Sequence, residues 1–143
     1  FISEHVFGSR RGPVASVRYG GMLLGAVVAY FTLGTPALGW SMAFMSLCVI
    51  GVHGMLSGTA SMDFGGSRNA GLVTGIIDGF VYLGGATQGF LYARLLPDAA
   101  AAHEVSSWRV WPGAMIPVAI VGLALCSRVW NARPSASVNA AAH

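Results

Sequence analysis

Apolar residues fall in four long blocks separated by short polar or glycine-rich breaks. The first covers about residues 18–33, with Gly20-Gly21-Met22-Leu23-Leu24-Gly25-Ala26-Val27-Val28 at its centre; the others cover about residues 40–59, 71–96 and 110–129. Runs of about 20 apolar residues, at a rise of about 1.5 Å each, match a hydrocarbon core of about 30 Å. Lipid offers no partner to an open strand, so each block is predicted to be a helix. The expected fold class is all-α: a polytopic membrane protein with four transmembrane helices. Residues 1–17 then form a cytoplasmic loop, 18–130 the four-helix segment and 131–143 a disordered cytoplasmic tail. The glycines of the first and third blocks would weaken helices in water, but in a bilayer they let helix backbones approach closely.

Composition strengthens that picture. Of 143 residues 55% are hydrophobic and 9% charged, against about 25% charged in a typical globular chain. Eight basic and five acidic residues cannot cover a water-facing surface, so lipid must cover most of it. All the basic residues are Arg. A net charge of +3, dispersed along the chain, argues against a nucleic-acid partner. Cys48 and Cys126 lie in or near apolar stretches, where Cys acts as a small hydrophobe, and they form no disulfide framework. His5, His103 and His143 have no ligand partners at metal-site spacing. The segment Gly65-Gly66-Ser67-Arg68-Asn69-Ala70-Gly71 is glycine-rich but lacks the pattern of a phosphate-binding loop, and reads as a tight cytoplasmic hairpin. No nucleophile elbow or paired-carboxylate arrangement appears, so neither an enzyme, a metal site nor a cofactor is expected. The opening Phe1-Ile2-Ser3-Glu4 has neither an initiator Met nor a signal-peptide pattern, and suggests a piece of something longer.

Charge sets the expected orientation. Arg10, Arg11 and Arg18 precede the first block, Arg68 sits between the second and third, and Arg128 and Arg133 follow the fourth. Arg94 and Arg109 lie on the other side, offset by Asp98 and Glu104. By the positive-inside rule both termini are expected in the cytoplasm. Trp40, Trp108, Trp111 and Trp130 fall at block ends, where interfacial aromatic anchors belong. The bacterial inner membrane is the expected location, with a eukaryotic organelle or plasma membrane as the alternatives.

Candidate chemistry concentrates on the third block. Asp78 lies about one third of the way along it, where a carboxylate costs roughly 2.5–3.5 kcal/mol on insertion scales. Thr74, Asp78, Tyr82, Gly85 and Gln88 recur at helical spacing and share one face. Such a stripe fits a substrate pathway or a proton-coupling carboxylate; a structural Asp bonded to a neighbouring helix fits it too. Gly71, Gly75 and Gly79, and Gly85 with Gly89, stand at small-xxx-small spacing and are read as helix-packing positions. The second block carries a weaker stripe of Ser46, Ile50, His53, Ser57 and Ser61. His53 could relay protons or donate to a phosphate oxygen, or could simply hydrogen-bond across helices.

Two stretches resemble the major facilitator superfamily, specifically the C-terminal part of the organophosphate:phosphate antiporters. Ser3-Glu4-His5-Val6-Phe7-Gly8-Ser9-Arg10-Arg11-Gly12-Pro13 is similar to the acidic, arginine-rich loop after the eighth span, with Glu4 where the superfamily usually has Asp. Arg68-Asn69-Ala70-Gly71-Leu72-Val73-Thr74-Gly75-Ile76-Ile77-Asp78-Gly79-Phe80-Val81-Tyr82-Leu83-Gly84-Gly85 resembles the eleventh span. Its Ile-Ile-Asp-Gly core is similar to the sugar-phosphate exchanger branch.

The resemblance implies that the four helices are the ninth to twelfth of twelve, forming part of the C-terminal half of the transporter. It implies antiport of a sugar phosphate or glycerol phosphate for inorganic phosphate by alternating access. The implied partners are lipid, a small anionic organic substrate, inorganic phosphate, and the N-terminal half with the seventh and eighth spans. Tyr82 matches a cavity-facing tyrosine of glycerol-3-phosphate transporters, and Asp78 a polar position of the sugar-phosphate branch. Glu4, Arg10 and Arg11 would form a conformational latch. The paired cavity arginines of the family belong to the first and seventh spans and have no counterpart in this chain. The alternatives are a proton-coupled symporter of a carboxylate or sugar in which Asp78 titrates, and a non-transporting four-helix assembly subunit.

Overall fold

A computed structural model describes residues 11–132. Helix α1 spans Arg11–Thr32. Helix α2 spans Ala37–Gly54 and runs on as a π-helical turn, Met55–Ala60. Helix α3 spans Ser61–Leu95, and a 3-10 turn at Val105–Arg109 leads into α4, Val110–Arg128. Among the described residues the structure is all-helical, and four stretches are long and apolar enough to cross a membrane: Gly12–Thr32, Ala37–Asp63, Arg68–Leu95 and Val105–Arg128. The expected all-α character stands, with four helices of the length and apolarity a membrane span needs.

The helices run alternately up and down. At one end Gly34, with φ 79°, turns the chain between α1 and α2, and a Cβ there would lie 2.9 Å from Cγ1 of Val105 at the entry to α4. At the other end Gly12 of α1 lies against the backbone of Val129 and Trp130 just beyond α4. Arg11 and Ala132, the ends of the described chain, are therefore on one side of the bundle.

Helix α1 is the centre of the packing, lying against α2 on one flank and α4 on the other. Its buried stripe is made of small residues: Gly12, Ala15, Ser16, Gly25, Ala26 and Ala29. Small side chains bring helix axes close, and in lipid that proximity yields the dispersion energy that replaces a hydrophobic drive. Gly21 receives the Sγ of Cys48 and Phe44, Gly25 receives Met45, and Gly122 of α4 receives Tyr19. The Ser41 hydroxyl donates to the Gly25 carbonyl (2.8 Å), tying α1 to α2 at the same crossing. Pro13 and Pro112 are fully buried in the first turns of α1 and α4, where a missing N–H breaks no intrahelical bond.

Helix α1 begins about two turns before the apolar block that marks it. Arg18, expected at the start of the span, is well inside the helix, and its guanidinium covers Gly51 of α2. The segment between the second and third blocks also differs from a simple hairpin loop. Helical backbone continues on both sides, and the chain reverses at Gly66, whose φ of 66° and ψ of 171° break the helix. That φ lies where only glycine sits without strain.

Helix α3 stands apart from the trio formed by α1, α2 and α4. None of its spanning segment is buried, and it meets its neighbours mainly through the π-helical turn near one end. A cavity of about 780 Å³ separates it from the other three helices, lined mostly by apolar side chains, among them Met22, Met45, Val49, Val81 and Leu91.

Candidate functional site: a polar seam between the second and third spans

The two polar stripes read from the sequence meet. The Thr74 hydroxyl of α3 donates to the Ser57 carbonyl of the π-helical turn at 2.8 Å. One turn along each helix, His53 Nε2 of α2 stands 3.9 Å from Asp78 Oδ1 of α3. The two pairs advance in opposite directions along the chain, as antiparallel neighbours must. Both side chains of the second pair are partly exposed, His53 at 48% and Asp78 at 36%.

The carbonyl that accepts from Thr74 lies in the π-helical turn. An i→i+5 turn inserts one extra residue into an α-helix, shifts the hydrogen-bond register and leaves carbonyls short of their usual partner. Side chains take up the slack: Ser57 Oγ donates to the His53 carbonyl at 2.8 Å, and Ser61 Oγ to the Leu56 carbonyl at 2.9 Å. Five consecutive small or flexible residues, Ser57-Gly58-Thr59-Ala60-Ser61, give the backbone room to widen.

Asp78 itself is incompletely satisfied. Among the described residues its Oδ1 is buried and has no hydrogen-bond partner. A buried carboxylate oxygen without a donor costs more than a neutral polar atom would, and the imidazole at 3.9 Å is beyond hydrogen-bond range.

The rest of the predicted stripe divides. Gln88 and Gly85 line the cavity, as do Val49 and Val81, each about one turn from the His53–Asp78 pair. The seam therefore adjoins the cavity at its end nearer Gly66. Tyr82 is 79% exposed and is not among the cavity-lining residues. A side chain added at Gly75, Gly79, Gly85 or Gly89 would meet nothing within 4 Å. The close approaches between helices within the described residues are made at glycines of α1, α2 and α4 instead, while Gly65 of α3 meets only Val73 and Ala70 of its own helix. The latch residues Glu4 and Arg10 lie outside the described residues, and Arg11 is the first residue of α1.

Three features were not foreseen from sequence: the accepting role of the Ser57 carbonyl, the bond from Tyr92 Oη to the Trp111 carbonyl (3.1 Å) that ties the far end of α3 to α4, and the cover of Gly51 by Arg18. The signal for the first was the small-residue run after His53. At the end of the bundle away from Gly66, Arg94 lies over the Phe90 ring at 4.2 Å and Arg109 over the Tyr30 ring at 5.7 Å, so these cations rest on aromatic faces. Among the described residues no group of three or more His, Cys, Asp and Glu could hold a metal ion. No protein-family model, curated protein or solved structure matches the chain.

Proposed function

We propose that this chain forms a wall of a secondary transporter that exchanges an organic phosphate for inorganic phosphate by alternating access. The observation that carries the reading is the polar seam His53, Ser57, Thr74 and Asp78, set between two apolar helices beside a cavity of about 780 Å³. Polar and ionisable groups at membrane depth are expensive and cluster on substrate and ion pathways. The π-helical turn and the break at Gly66 supply irregular backbone beside that seam, which membrane proteins tolerate where it lines a cavity or is buried in protein.

In this reading α3 swings against the α1–α2–α4 trio, and its loose attachment lets it do so. Tyr82, with Gly75, Gly79 and Gly89, stands open to the remaining helices of the carrier, while Gln88 and Gly85 line the cavity. The Tyr82 hydroxyl donates to a phosphoryl oxygen while His53 and Thr74 line the path. Substrate drives the exchange only where its binding favours the closed carrier over the open one. The phosphate specificity rests on the sequence resemblance, and the transport role on the seam.

The test is exchange of labelled phosphate into phosphate-loaded vesicles by the full-length protein. Saturable exchange that sugar phosphates compete with is expected. Tyr82→Phe removes one hydroxyl bond to a charged group and should weaken apparent affinity by about 1.5–3 kcal/mol, or roughly tenfold or more. Absence of exchange, with uptake appearing only under a proton gradient, refutes the antiport reading in favour of symport.

A further inference from the structure

We propose that His53 and Asp78 together form a proton-binding site whose occupancy is coupled to the movement of substrate. The proposal deepens the transport reading and rests on it for its substrate. Asp78 Oδ1 is buried with no hydrogen-bond donor among the described residues. Among the described residues the basic group beside it is the imidazole Nε2 at 3.9 Å, on a different helix. Val49 and Val81, about one turn from the pair, line the cavity that separates α3 from the trio.

The surroundings leave the pair to itself. On α2 the only other titratable side chain is Cys48, which faces Gly21 of α1. The π-helical turn Met55–Ala60 has none. On α3 the flanking groups are Tyr82, one turn away and exposed, and Asp63 and Arg68 beside the chain reversal. From α1, the Arg18 guanidinium rests on Gly51, two residues and therefore about 200° around α2 from His53. Tyr19 of α1 points to Gly122 of α4.

When the site holds a proton on His53 Nε2, the imidazolium faces the Asp78 carboxylate, and α2 and α3 attract across the seam. When a water molecule takes that proton as hydronium, Asp78 is left without its counter-ion while its Oδ1 stays buried. The arrangement with α3 against α2 is then disfavoured relative to one in which Asp78 meets water. Occupancy thus biases a two-state element, which is what coupling requires. No bond other than N–H and O–H is made or broken.

The test uses the full-length protein in vesicles loaded with phosphate and a trapped pH-sensitive dye, diluted into glucose 6-phosphate with labelled phosphate as tracer. The readout is the ratio of protons moved to phosphate exchanged. Protons carried by the phosphate groups themselves are the same for every variant, so a difference from wild type reports the pair. Asp78→Asn and His53→Gln should each lose the same part of the ratio, the double variant no more than either alone, and Asp78→Glu should restore it. Replacing sodium by choline should change nothing.

Unchanged ratios in both single variants overturn the proposal while leaving antiport standing, as does a loss confined to Asp78→Asn. A sodium requirement overturns the proton as the ligand. Wild-type protein that exchanges no phosphate, yet passes protons down an imposed pH gradient in a way both variants abolish, supports the site and sinks the antiport reading. Neither exchange nor proton movement overturns both. Monodisperse elution of each variant separates loss of coupling from loss of fold.

Discussion

Among the described glycines, the closest approach of backbone to backbone is made at Gly12, and a single methyl there should be costly. An ideal Cβ on Gly12 would lie 2.7 Å from Trp130 Cα and 2.8 Å from the Val129 carbonyl carbon, and nearer still to the Val129 oxygen. Carbon atoms prefer about 3.5–4.0 Å, so the start of α1 and the end of α4 must part by roughly 1 Å to admit Ala. Overpacking of this kind costs about 1–3 kcal/mol. Ala gains at most about 1 kcal/mol over Gly in helix propensity, and less in a first turn. The net is destabilisation of roughly 1–2 kcal/mol, or about five- to thirtyfold in the folded-to-unfolded ratio.

The atoms in the way decide what can rescue the variant. They are backbone, so trimming Val129 to Ala should leave Gly12→Ala as unstable as before. At Gly25 the obstructing atoms belong to the Met45 side chain, so Met45→Ala should relieve Gly25→Ala, giving a clear interaction energy in a double-mutant cycle. A methyl at Gly20, in the same helix, would meet nothing within 4 Å, and Gly20→Ala should be neutral or slightly stabilising. Thermal unfolding in detergent followed by tryptophan fluorescence reads all of these. A Gly12→Ala protein that melts with wild type, or one that Val129→Ala rescues, refutes the close α1–α4 approach.

Three further outcomes follow from single contacts. Thr74→Val keeps the shape and removes the bond to the Ser57 carbonyl; a loss of about 0.6–2 kcal/mol is expected in the same unfolding assay, and an unchanged melt would show that the seam is open. Tyr92→Phe removes the bond to the Trp111 carbonyl, and it should cost about 0.5–1.5 kcal/mol and speed proteolysis between α3 and α4, whereas equal cleavage rates would remove that tie. With Cys48 and Cys126 replaced by Ala, single cysteines at exposed Thr35 and His103 should react with an impermeant reagent from one side of the membrane and a cysteine at Ala132 from the other; reaction of all three from one side would contradict the alternating topology.

The helices were legible because lipid makes one demand on every residue of a span. Four apolar blocks of about the right length could only be helices, and the chain shows four. Contacts between helices are different, because small residues read alike whether they touch a neighbour or not. Gly75 and Gly79 have the spacing of a packing face and touch no other helix of the described chain, while Gly12, Gly25 and Gly122 carry the close approaches. Spacing records only that two glycines share a face; which face meets which helix depends on crossing angles that the sequence does not spell out. The seam was half legible. Both stripes were visible, each on its own helix, but their register depends on the π-helical turn at Met55–Ala60, beyond which residues sit about 100° around the axis relative to a continuous α-helix.

That turn links the fold to the chemistry. The Ser57 carbonyl within it accepts from Thr74, which joins α3 to the turn one turn from His53 and Asp78. The bond is a single neutral one, worth about 0.6 kcal/mol on average in membranes, while an unpaired intramembrane carboxylate costs roughly 2.5–3.5 kcal/mol. The carboxylate therefore dominates, and the Thr74 bond alone cannot hold α3 in place against an unpaired Asp78. Whether α3 stays on the seam is decided by what faces that carboxylate, so the same bonds that place Asp78 beside His53 are weak enough for the charge state of the pair to override.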